Sequence, residues 1–255
     1  ISETEDLSAT PRPENPGTPI GFNRPKQDQE FVGRKMLSVC GGFGKLALIT
    51  QDGTIVQSGE GSEDTAGAMP VPDCGSVRQV VAGMKHTLFL DSEGFLYAGG
   101  HNTFGQLGFP GEASVPLPRI IPAFSQRPVA AVCAGQHHSM ALTDWGDVYA
   151  WGRGSEGQLG SGRFETIVVP RYVHALKGQF VDAIACGYNC SMAVTQQGHL
   201  YCWGDDTTGQ LGLGPKAGRQ ASPKLVTLTP DTNVEGETFV VGAAGGWGHT
   251  CVVTS

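Results

Sequence analysis

Short apolar runs of three to six residues alternate with glycine-closed turns from Met36 to the end of the sequence. Each unit opens on an apolar stretch ending in small residues: Leu37-Ser-Val-Cys-Gly-Gly, Val80-Val-Ala-Gly, Val132-Cys-Ala-Gly, Ile184-Ala-Cys-Gly and Val240-Val-Gly-Ala-Ala-Gly. A second apolar stretch follows, such as Met140-Ala-Leu-Thr or Met192-Ala-Val-Thr, and then a tetrad closed by Gly53, Gly94, Gly146 or Gly198. A third stretch (Val148-Tyr-Ala-Trp, Leu200-Tyr-Cys-Trp) leads into a long phrase, and a fourth begins near Pro118, Pro170 or Pro223. Runs this short, bounded by turn residues, predict strands rather than helices. The tetrads predict hairpins, where glycine supplies φ > 0. A proline ahead of the fourth run predicts the first residue of an outer, edge strand. Four strands per unit is the size of a propeller blade.

The phrase fixes the period. It reads Tyr-Ala-Gly-Gly-His-Asn-Thr-Phe-Gly-Gln-Leu-Gly at 97–108, Tyr-Ala-Trp-Gly-Arg-Gly-Ser-Glu-Gly-Gln-Leu-Gly at 149–160 and Tyr-Cys-Trp-Gly-Asp-Asp-Thr-Thr-Gly-Gln-Leu-Gly at 201–212. The copies start 52 residues apart, the mark of a repeat architecture. The units run over about 36–79, 80–131, 132–183 and 184–239, with a partial one at 240–255. The first copy of the phrase, between Gly59 and Gly67, keeps its end glycines and loses Gln-Leu. The longest insertion, 214–237, predicts a protruding loop. Ahead of the units, residues 1–35 carry Pro11, Pro13, Pro16, Pro19 and Pro25 with Glu3, Glu5, Asp6 and Glu14, which predicts an extended or disordered arm.

These motifs (Trp-Gly-x-Gly-x-x-Gly-Gln-Leu-Gly, then Pro-x-x-Val, then Ala-Gly-x-x-His-Ser-x-Ala-Leu-Thr) resemble the regulator of chromosome condensation repeat family, over about residues 36–255 and most strongly over 80–212. The resemblance implies an all-β fold, a β-propeller usually of seven blades. Four units and the first half of a fifth make this chain part of a seven-bladed ring, or a smaller or incomplete one. It also implies two function classes. One is a non-catalytic protein-interaction propeller, a scaffold or subunit of a larger assembly. The alternative is the family's name-giving activity, guanine-nucleotide exchange on a Ran-like small GTPase. No exchange-specific residue lies within the matching motifs.

Charge and composition narrow this. The 255 residues carry a net charge of −7, which argues against broad binding of a phosphate backbone. No apolar run approaches the ~20 residues of a membrane helix. Seven cysteines form no CxxC pair and no zinc-spaced cluster with histidine, so they predict small buried strand residues in a reducing, intracellular compartment. The first residue is Ile1, so the chain reads as a piece of something longer.

Candidate chemistry is sparse. His86, His138 and His249 recur three residues after an aligned glycine, in a slot that Lys45 and Cys190 fill elsewhere. One histidine per blade is no metal set, and the expected role is bonding backbone groups at a strand start. No cofactor, metal or catalytic residue is expected. The glycine-rich phrase lacks the Lys-Ser/Thr and the following helix of a phosphate loop. Trp151 and Trp203 align and predict packing between blades. Partner contacts are expected where the copies differ: His101 and Phe104, Arg153 and Glu156, Asp205 and Asp206. Two turn tryptophans, Trp145 and Trp247, complete the set as candidate anchors.

Overall fold

The computed structural model describes residues 36–42, 45–50, 55–59, 67–69, 76–215, 217–228 and 238–255. The expected arm at 1–35, the first hairpin turn and the middle of the altered first phrase lie outside the described residues.

Among the described residues eighteen strands form four four-stranded antiparallel sheets and one two-stranded sheet. The first sheet holds β1 (Met36–Gly42), β2 (Lys45–Thr50), β3 (Ile55–Gly59) and β4 (Gly67–Met69). The second holds β5 (Val77–Ala82), β6 (His86–Asp91), β7 (Leu96–His101) and β8 (Ser114–Ile120). The third runs β9 (Val129–Ala134), β10 (His138–Thr143), β11 (Val148–Gly152), β12 (Ile167–Tyr172). The fourth runs β13 (Val181–Cys186), β14 (Cys190–Thr195), β15 (Leu200–Gly204), β16 (Gln220–Leu225). β17 (Val240–Gly245) and β18 (Thr250–Thr254) form the last. Within each sheet sequence order is spatial order, the meander of a propeller blade. The opening strands β1, β5, β9, β13 and β17 pack side by side, so they are the innermost.

The core lies in the seams between blades, and each seam has its own cluster. Ile49, Ile55, Val77 and Phe89 fill the first, and Leu88, Leu96, Leu107 and Trp151 the second. Met140, Leu142, Leu159 and Trp203 fill the third, and Met192, Leu211, Val226 and Val240 the fourth. Trp151 and Trp203 are wholly buried. At ~25 cal/mol per Å2, burying an indole is worth on the order of 4–6 kcal/mol before entropy is counted. β6, β10 and β14 are buried at every position because they sit mid-sheet with a blade on each side.

Two expectations are corrected. Pro118, Pro170 and Pro223 lie inside β8, β12 and β16, not at their starts. Each of these strands slips in register against its neighbour, between Ala98 and Gly100 of β7, Ala150 and Gly152 of β11, and Cys202 and Gly204 of β15. A bulge in an edge strand leaves a residue outside the ladder, and a proline with no N–H fits there. The insertion at 214–237 is not one protruding loop. Its middle is β16, paired to β15, and 229–237 lie outside the described residues.

Candidate functional site

The repeated polar residues build a latch across each seam. His86 Nε2 meets Ser139 Oγ of the next blade at 3.0 Å, and His138 Nε2 meets Ser191 Oγ at 3.0 Å. Ser139 Oγ donates to the Gln106 carbonyl (2.8 Å) and Ser191 Oγ to that of Gln158 (2.7 Å). The same carbonyls accept Trp151 Nε1 and Trp203 Nε1, each at 2.9 Å. Thr250 Oγ1 repeats the contact on the Gln210 carbonyl at 2.7 Å. The histidine partner is therefore a hydroxyl one blade on, beyond the strand-start backbone expected. The ring needs Gly135 beside it: a Cβ there would lie 2.1 Å from His138 Cε1. His138 is fully buried, and desolvation, with a smaller push from His137, holds its pKa down at about 3. A neutral imidazole against a buried serine resembles a catalytic pair, but both are 0% exposed, which leaves a substrate no approach.

With those residues consumed in the seams, the variable ones are sorted by strand direction. His138 pairs with Gly152 and Leu142 with Val148. The turn before β10 and the phrase after β11 therefore share one end of the blade, and the β10–β11 hairpin lies at the other. His101, Phe104, Arg153, Glu156, Asp205 and Trp247 fall on the first face, and Trp145 falls on the opposite one. Trp145 is 58% exposed on that opposite face, near Phe180, which covers Gly146. The two candidate anchors do not form one site.

The first face has two concentric rows, built by the two residues between each aligned glycine and its histidine slot. The inner row is Met84, Gln136, Tyr188 and Trp247. Its backbone is stitched across blades: Met84 N–H donates to the Gln136 carbonyl (3.1 Å), and Gln136 N–H to that of Tyr188 (2.9 Å). Gln136 Nε2 also donates to Met84 Sδ (3.5 Å) and to the Tyr188 hydroxyl. Tyr188 then meets Trp247 edge-on, with centroids 6.0 Å apart. Trp247 is 77% exposed.

The outer row is Lys85, His137, Asn189 and Gly248, and the phrases hang from it. His101 N–H donates to the Lys85 carbonyl (2.7 Å), Arg153 N–H to that of His137 (2.9 Å) and Asp205 N–H to that of Asn189 (2.9 Å). The Phe104 ring lies 5.0 Å from the His137 ring, and the Arg153 guanidinium lies over it at 5.7 Å. Glu156 is shared by Arg153 (3.4 Å) and Arg219 (3.1 Å). Partial burial lowers the His137 pKa, and the charges of Arg153, His101 and Lys85 push it the same way. Asp206 does not join this surface. It is buried, and its Oδ1 accepts the Leu211 N–H at 2.9 Å, as Asn102 Oδ1 accepts Leu107 N–H at 3.0 Å. Asp205 is taken up locally by Thr207 and Gln210. Among the described residues no group of three or more His, Cys, Asp or Glu could hold a metal ion.

A family model described as the RCC1-like domain matches residues 13–255. The chain belongs to this family. The ultraviolet-B receptor UVR8 of Arabidopsis thaliana is 31% identical over 243 residues, 91% of this chain and 54% of that protein. The probable E3 ubiquitin-protein ligase HERC6 of Homo sapiens is 37% identical over 169 residues, 66% of this chain and 16% of that protein. The chain thus spans about half or less of these relatives. Among solved structures, human WBSCR16 superimposes with a TM-score of 0.75 at 24% identity, covering 86% of this chain and 58% of that one. Prp20p of Saccharomyces cerevisiae, described with its binding to Gsp1p and histones, gives 0.73 at 21%, covering 84% and 55%. At those identities the likeness is one of fold.

Within this RCC1-like propeller, sequence reasoning missed Met84, Gln136, His137, Tyr188 and Arg219. A signal for the first four was present. The unspecified pair between glycine and histidine recurs at the repeat period, and repetition of two unfixed positions marks a surface row. Arg219 had none, because its contact with Glu156 crosses from one blade to the next.

Proposed function

We propose that this RCC1-like chain is a non-catalytic protein-interaction propeller, a scaffold or subunit of a larger assembly, whose docking face carries the Met84–Gln136–Tyr188–Trp247 row. One observation carries this reading. The motif-defining polar residues are spent in the seams, while Tyr188 and Trp247 meet edge-on in a row whose backbone is stitched from blade to blade. A hot spot needs such a rigid anchor within a frame that does not move. We place it in a reducing, intracellular setting, a reading supported by the six free cysteines among the described residues.

The test is capture of partners by folded protein, wild type against Trp247→Ala. The variant is expected to lose partners that the wild type and Trp145→Ala retain, at unchanged melting temperature. Equal capture by all three would remove Trp247 from the role. A second reading, nucleotide exchange on a Ran-like GTPase, draws on the fold shared with Prp20p. Release of a fluorescent nucleotide from Ran decides it, and no acceleration by folded protein rejects it for that GTPase.

A further inference from the structure

We infer that Cys133 and Cys186 form a paired-thiol oxidation site, which a hydroperoxide converts into a disulfide joining the third and fourth blades. This is independent of the docking reading. The two sulfurs lie 2.9 Å apart, against about 2.05 Å in a disulfide. Cys133 is on β9 and Cys186 on β13, the innermost strands of neighbouring blades, and both are half-buried against the third seam cluster. β9 and β13 belong to different sheets and share no ladder, so a bond here ties two blades covalently. Just past the pair, Gln136 N–H donates to the Tyr188 carbonyl at 2.9 Å. The two strands are thus held in place, and the thiols have only the sulfur gap to close.

The repeat shows why this seam alone holds such a pair. Cys133 lies two residues before an aligned glycine, Gly135, and Cys186 one residue before the next, Gly187. The equivalent positions at the first seam are Cys40 and Ala82, where the thiol meets the Ala82 backbone. At the second they are Val81 and Ala134, and at the fourth Ala185 and Gly245. Of these four aligned pairs, one brings sulfur to sulfur.

Burial lifts the Cys186 pKa well above the usual range, and the hydrogen bond with Cys133 adds to it, so Cys186 stays a thiol. Cys133 therefore supplies the attacking thiolate. Its sulfur attacks one peroxide oxygen and the O–O bond breaks. The leaving oxygen takes up the proton that Cys133 released, as an alcohol or, from hydrogen peroxide, as water. The Cys186 sulfur then attacks the Cys133 sulfenic acid. The S–O bond breaks, the hydroxyl departs with the Cys186 proton as water, and the S–S bond forms. The two thiols lose two electrons in total, and the peroxide gains them.

The test treats reduced, folded protein with substoichiometric hydrogen peroxide and blocks the remaining thiols with iodoacetamide. A chymotryptic digest, which cuts after Tyr188, separates Cys186 from Cys190 for mass spectrometry. The expected first product is a linked Cys133–Cys186 peptide from monomeric protein, reversed by dithiothreitol. Oxidised protein should melt about 5 °C or more higher, because the bond joins residues distant in sequence. Cys133→Ser should abolish both effects. In Cys186→Ser, dimedone should trap a sulfenic acid on Cys133 that the wild type consumes in the disulfide. Cys251→Ser should oxidise as the wild type does. The proposal is overturned if Cys133 and Cys186 are recovered alkylated while Cys251 is oxidised, or if Cys133 links to another cysteine. It is also overturned if Cys186→Ser gives no dimedone adduct at Cys133. Should either variant prove unfolded, the wild-type digest decides alone.

Discussion

His138 carries one proton at most where it is buried, and that sets a pH dependence. Its folded pKa of about 3 lies below the ordinary 6.5, so the unfolded chain binds the proton first. The latch contributes fully above pH 6.5, and its contribution declines as pH falls from there towards 3. The loss is about 1.4 kcal/mol per pH unit in that window, an upper bound for a single group. Urea melts at pH 7, 6 and 5 should show the decline, and His138→Gln should flatten it while lowering stability at pH 7. The thiols obey the same physics with the opposite sign. Burial pushes Cys40 and Cys190 up to about 11 and Cys202 to about 12, and lifts Cys186, whose Sγ lies 2.9 Å from that of Cys133, well above the usual range. Thiolate is the reactive form. Iodoacetamide at pH 7.5 should therefore modify exposed Cys251 well before Cys190 or Cys202, as peptide mapping will show.

At the scale of the strand and its turn, the hairpins show why glycine is needed. Gly146 has φ of +79°, and a Cβ there would sit 3.1 Å from the Phe180 ring on the next blade. Gly146→Ala should cost about 1–2 kcal/mol in denaturant unfolding, against less than about 0.5 kcal/mol for neighbouring, exposed Trp145→Ala. Element identity was legible in the sequence because the apolar runs are short and each turn is closed by a glycine with no substitute. The placement of Pro170 was not, since a bulge is a property of the pair β11–β12 and not of either run. Nor was the separation of Trp145 from Trp247. A strand pattern says which residues lie in turns, but the end of the blade to which a turn belongs emerges only from register, His138 against Gly152.

Across the described residues the seams carry stability, so it should vary with how much of a strand they cover. β14 and β15 lie in the fourth sheet, packed on both sides by the third and fourth seam clusters. β12 lies at the edge of its sheet, with Val168 and Val169 more than 40% exposed. Hydrogen exchange should find the β12 amides released sooner than those of β14, because an edge strand lacks that cover. Equal protection would contradict this. The family and fold were legible because repeat-defining residues are those that build seams; the row proposed for docking was hidden because it occupies the positions left over. The Gln106 and Gln158 carbonyls add one consequence. Each is a main-chain acceptor and keeps its place whatever side chains fill the rest of its loop. The phrases are thus inserts on a common socket, and transplanting His101, Thr103 and Phe104 onto the places of Asp205, Thr207 and Thr208 should relocate charge and aromatic surface from the second blade to the fourth, with the melting point lowered only by loss of the Thr208–Gly248 hydrogen bond. A protein made this way can be retargeted by editing a few loop residues, with no seam rebuilt.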